Sequence, residues 1–156
     1  MNRLALVLAT FFLPVTAHAA DCTAENAVYE MADSDAASLS LPKRAERAGY
    51  SDLEISVTTP DSPERFSFWL TASNGYGNLF AIPDDENLSD DGLIVFFFQN
   101  AGGRLVPYGP ELPDSEAPAP DAIFLPLLGS ALWYGTNGGD HAVSIPTQIW
   151  YLANCG

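Results

Sequence analysis

Leu93-Ile94-Val95-Phe96-Phe97-Phe98-Gln99 is the stretch whose reading decides the fold class. Six consecutive apolar residues, each β-branched, aromatic or Leu, lie between the turn signal Asp90-Asp91-Gly92 and the loop signal Asn100-Ala101-Gly102-Gly103. Such a run is too short for an ordinary helix, and its composition predicts a strand covered on both faces. Arg104-Leu105-Val106 returns across the Gly-containing loop, which reads as a β-hairpin.

The same grammar extends upstream. Leu53-Glu54-Ile55-Ser56-Val57-Thr58 alternates apolar and polar residues strictly, the signature of a half-buried strand, and Thr59-Pro60-Asp61-Ser62-Pro63 ends it as a turn. Phe66, Phe68 and Leu70 then share one face of a strand and Trp69 takes the other. Leu79-Phe80-Ala81-Ile82 completes a second hairpin across Asn74-Gly75, with Tyr76 at its tip. Ala27-Val28-Tyr29-Glu30-Met31 is the first strand. Residues 32–40 read as loop, with a short strand at 38–41.

Downstream, residues 109–121 hold four prolines and four acids, a composition that predicts an extended surface loop. The core resumes at residues 123–128, where Pro126 keeps the chain irregular or at an edge. Short strands are expected at 131–134, 142–145 and 148–153. One helix is expected, over residues 42–48: Pro42 suits a helix start, Ala and Glu are good formers, and Gly49 supplies a stop. Its Lys43, Arg44 and Arg47 offer either a docking point for an anionic group or neutralisation of the protein's own acidic surface. The class is all-β: a single-domain β-sandwich or distorted barrel of about 7–9 short antiparallel strands, with α+β as the alternative.

Residues 1–19 stand apart. Arg3, an apolar core from residue 4 to 13 and the Ala17-His18-Ala19 cleavage site form a signal peptide, too short in its core to span a bilayer. The expectation is an exported protein, periplasmic or secreted, with residues 20–156 as one β-rich domain and no membrane insertion after cleavage. Cys22 and Cys155 are the only cysteines, and an oxidising compartment predicts that they pair. Pairing brings their Cα atoms within about 7 Å and so sets the first strand beside the last.

The net charge is −14, and all 20 acidic residues lie beyond the leader. That argues against nucleic acid and anionic membrane surfaces, which need a cationic face, and permits basic partners or cations. Asp84-Asp85-Glu86-Asn87-Leu88-Ser89-Asp90-Asp91-Gly92 gathers carboxylates of the kind that hard cations use. The spacing of an EF-hand loop is missing. Calcium at Asp84, Asp85, Asp90 and Asp91 is accordingly the single cofactor candidate, and otherwise no cofactor is expected. His141, the only histidine after the leader, lacks a G-x-S-x-G nucleophile and the further ligands that zinc requires. Phosphate-binding Gly-rich loops are absent from the sequence.

Aromatic residues supply the remaining signal. Trp69, opposite the Phe66/Phe68/Leu70 face, and Tyr76, at a loop tip, are the binding candidates, able to stack on a sugar or anchor a protein. The leading expectation is a non-catalytic exported binding module for a basic protein or a glycan. The alternative is a small exported hydrolase that uses paired carboxylates, supported by calcium. A subunit of an envelope assembly is a third reading, which predicts an uncovered apolar edge or patch.

Overall fold

The computed structural model describes residues 22–48, 50–60, 62–73, 77–88, 92–109, 112–137 and 142–156. The leader expected at residues 1–19 lies outside the described residues. A 3₁₀ turn at Ala24–Asn26 precedes β1 (Ala27–Met31), β2 (Ser34–Ser40), β3 (Lys43–Ala48), β4 (Ser51–Thr59) and β5 (Ser62–Ala72). β6 (Leu79–Pro83), β7 (Leu93–Ala101), β8 (Arg104–Pro107) and β9 (Ala122–Phe124) follow, then helix α1 (Leu128–Thr136) and finally β10 (Ile149–Cys155).

Eight strands close into an antiparallel barrel in the order β2-β1-β10-β9-β7-β6-β5-β4, and residues 38–40 of β2 pair with residues 56–58 of β4 to seal the ring. β3 extends β4 outside the ring, and β8 extends β7. Of the two expected architectures, the barrel is the one present. Closure removes the free edges that an open sheet would leave.

Alternation along each strand builds the interior. Around the ring Tyr29 faces Leu39, Leu39 faces Val57, and Val57 faces Phe66, while Ile55 faces Phe68 one row along. Leu70 faces Ala81 and Ala81 faces Leu93; Phe97 faces Ile123, Ile123 faces Trp150, and Trp150 faces Met31. All of these side chains are buried. An eight-stranded barrel is just wide enough for side chains to fill, and here bulky ones do so.

The two ends of the barrel are closed differently. At one end Cys22 and Cys155 form the expected disulfide, with Cα atoms 5.8 Å apart, and β1 pairs with β10. The proline-rich segment is packed down across that end rather than standing free. Ala24 N–H donates to Ala117 O and Ala119 N–H to Cys22 O, both at 2.8 Å. The Tyr29 hydroxyl donates to Pro120 O (3.0 Å), Tyr108 to Pro118 O (2.7 Å) and Ser51 to Pro113 O (3.0 Å). At the opposite end the connection from β9 to β10 carries α1, whose Leu128 and Leu132 join the core.

Three expectations are corrected. Residues 42–48 form no helix: Lys43–Ala48 is strand β3, registered on β4. Two turns of helix are marginal without tertiary support, whereas the edge of β4 offers backbone partners, including Pro42 O for Glu54 N–H (3.0 Å). Conversely, the strand expected at 131–134 is the middle of α1, because Leu128, Ala131 and Leu132 lie on one buried helical face. Residues 142–145 alternate in burial, with Val143 and Ile145 inward, but belong to no strand.

Candidate binding face

With one face of every barrel strand committed to the interior, the outer face displays what the chain offers to a partner. On β6, β7, β9 and β10 that face is apolar, whereas on β5 Trp69 stands between Ser67 and Thr71. Trp69 pairs with Ile82, Phe80 with Ile94, Phe96 with Phe124, and Phe124 with Ile149. Phe96 and Phe124 stack with ring centroids 6.3 Å apart at 26°. Phe96 is nevertheless 45% exposed and Tyr151 41% exposed. The expectation that the central strand is covered on both faces is therefore corrected: its Leu93, Val95 and Phe97 point inward and Phe96 meets solvent. Period-two alternation cannot show this when every position is apolar.

Glutamates bound the strip at either side, since Glu30 pairs with Tyr151 and Glu54 with Trp69. Glu54 is a hub. Arg44 reaches it at 3.3 Å and Asp84 at 3.1 Å, and Arg65 also pairs with Glu54. Lys43 lies 3.6 Å from Asp52. These cations of β3 and β5 thus serve the protein's own carboxylates, and β3 is fastened to the barrel by them.

Trp69 occupies the outward position expected of it and is half-buried there. Tyr76 lies outside the described residues, as do Asp90, Asp91 and His141. Of the calcium candidates, Asp84 and Asp85 are exposed at the end of β6. Asp84 is engaged by Arg44, and one Asp85 oxygen accepts the Asn87 N–H (2.9 Å) and its side-chain amide (2.8 Å). Among the described residues no three His, Cys, Asp or Glu side chains gather as a metal-binding group.

Carboxylates do meet in shallow depressions. One of about 230 Å³ is lined by Lys43, Asp52, Asp114, Ser115 and Glu116. Another of about 350 Å³ includes Glu30 and Asp35. Hydrolysis by paired acids requires one carboxyl whose pKa is raised. Asp52 goes the other way. Partial burial pushes its pKa up, but the Ser115 hydroxyl (2.8 Å), the Ser115 N–H (2.9 Å) and Lys43 outweigh that and hold it below the usual carboxylate range. At the disulfide end, burial pushes the Tyr29 and Tyr108 hydroxyls up, so both remain neutral donors to the proline carbonyls.

Sequence reasoning missed the exposed residues of α1. Leu127, Trp133 and Tyr134 all face solvent, Tyr134 at 77%. The helical spacing of Leu128, Ala131 and Leu132 was the available signal for them. No protein-family model matches this chain, and neither curated proteins nor solved structures yield a significant match to it.

Proposed function

We propose that this protein is an exported, non-catalytic binding module that recognises a basic protein through the apolar outer face of its barrel. The observation that carries the reading is the stacked Phe96–Phe124 pair, Phe96 exposed and Phe124 half-buried, within an apolar strip on β6, β7, β9 and β10 that Trp69 of β5 extends, in a chain with net charge −14. Monomers rarely leave contiguous aromatic surface open without a use for it, and aromatic side chains dominate the energetics of protein interfaces. The acidic surroundings select for positive charge on the partner and speed its encounter. Export is supported by the Cys22–Cys155 disulfide, a bond characteristic of oxidising compartments. No helix among the described residues is long and apolar enough to cross a membrane.

Immobilised oxidised protein, offered arrays of basic and neutral peptides and of neutral glycans, is expected to retain basic peptides, with retention lost in Phe96→Ser. Retention of glycans in place of peptides would transfer the face to a carbohydrate. Cleavage of those glycans would replace the reading with the carboxylate hydrolase.

A further inference from the structure

We infer that the Cys22–Cys155 disulfide is a one-sided redox latch. A dithiol opens it by attack on the Cys155 sulfur, the end of β10 from Ala153 onward comes away from β1, and the barrel stays shut. The latch is independent of the binding face proposed above.

β10 consists of two parts that are held differently. Ile149, Trp150 and Tyr151 pair with β9 on one side, and Trp150 and Tyr151 pair with β1 on the other. Trp150 is buried in the interior, and Leu152 packs against the core with its N–H on Asp121 O (3.0 Å). Past Leu152 the register on β1 shifts: Tyr29 faces Leu152 and Val28 faces Asn154, so Ala153 is passed over. From there on, among the described residues, β1 is the one strand beside β10. Ala153, Asn154, Cys155 and Gly156 are all exposed.

The two cysteines are correspondingly unlike. Cys22 is 4% exposed, Ala24 is fully buried, and their segment is tied to the proline-rich segment by Ala119 N–H on Cys22 O and Ala24 N–H on Ala117 O. Cys155 is exposed. Apart from the disulfide, its segment is held by the pairings with Ala27 and Val28 and by Gly156 N–H on Asn26 O (2.8 Å). Hydrogen bonds between exposed groups contribute little net stability, while each ordered residue loses conformational entropy. Four exposed residues bury too little apolar surface to offset that loss. Breaking the covalent bond therefore frees the end of β10 and leaves Cys22 in place.

The chemistry is thiol–disulfide exchange. A thiolate of the dithiol attacks Cys155 Sγ, on the exposed residue, to form a mixed disulfide, and the expelled Cys22 sulfur takes up a proton. The second thiol of the reagent then attacks the mixed disulfide. The dithiol departs as its own disulfide, having supplied both electrons, and Cys155 is released as a thiol.

The test treats the full oxidised protein with dithiothreitol in the absence of denaturant, removes the reagent, and applies pulsed iodoacetamide alkylation with peptide mass mapping, alongside amide hydrogen exchange. Complete reduction is expected, with Cys155 alkylated at least about tenfold faster than Cys22. Protection should be lost at residues 153–156 and kept at residues 149–152 and 93–97. Cys22→Ser and Cys155→Ser isolate each thiol, and alkylation should be fast in the first and slow in the second. A smaller ratio between the two cysteines would overturn the inference. So would reduction only where denaturant unfolds the protein, retained protection at residues 153–156 after reduction, or loss of protection at residues 149–152.

Discussion

The two ends of the barrel solve the same problem, closing an apolar interior, by opposite means. At the disulfide end the closure is polar and covalent: Cys22–Cys155, the backbone bonds of residues 24 and 119, and tyrosine and serine hydroxyls aimed at proline carbonyls. At the α1 end the closure is apolar. Leu128 and Leu132 face inward on a helix whose N-cap, Leu127, makes no side-chain capping bond and which leaves Leu127, Trp133 and Tyr134 outward. The first end is tied down by hydrogen bonds among its own groups. The second leaves Trp133 and Tyr134 exposed. The difference teaches that one barrel can be sealed at one end by covalent and polar ties and at the other by apolar packing that leaves aromatic side chains uncovered.

The comparison can be broken most severely at the covalent tie. Replacing both Cys22 and Cys155 by Ser is expected to cost about 2–5 kcal/mol, read as a lower midpoint in chemical denaturation. At the α1 end Leu132→Ala should cost about 2–4 kcal/mol through the cavity it leaves, yet the disulfide should still form, as thiol titration would show. Gly129→Ala sharpens the point. Its Cβ would lie 2.5 Å from Ile145 O, so the helix must shift, with an expected loss of about 1–3 kcal/mol in thermal or denaturant unfolding.

Asp52 probes the polar end through pH. Its folded-state pKa lies below its unfolded value, so its contribution is present above about pH 4 and lost as pH falls through the folded value. Stability measured from pH 7 to pH 2 should therefore show Asp52→Asn weaker than wild type near neutrality and converging with it in acid. The smallest stability effect belongs to the exposed aromatic residues of the α1 end. Tyr134→Ser, at a side chain that faces solvent, should change stability, read from the unfolding midpoint, by no more than about 0.5 kcal/mol.

How much of this could be read in advance depended on the kind of residue involved. Leu53, Ile55 and Val57 alternate with polar neighbours, so their strand and its inward face were legible, as were Phe66, Phe68 and Leu70. The cysteine pair announced itself and with it the β1–β10 pairing. Barrel closure was not legible, because it depends on residues 38–40 finding residues 56–58, and nothing in Ser38-Leu39-Ser40 specifies that partner. β3 was hidden because Ala and Glu favour helix locally, while hydrogen bonds to β4 and the Arg44–Glu54 pair decide the outcome. Of the binding candidates, Trp69 was correctly placed on the outward face. Phe96, Trp133 and Tyr134 were missed because exposure of an aromatic residue is set by what packs over it, a property of the assembled barrel.

The most direct measurement is amide hydrogen exchange of the oxidised protein. Residues 24–29 and 117–121 should exchange slowly, near the limit of global unfolding, and α1 should exchange by local opening. An α1 as slow to exchange as the disulfide end would contradict the contrast between an end closed by covalent and polar ties and one closed by apolar packing alone.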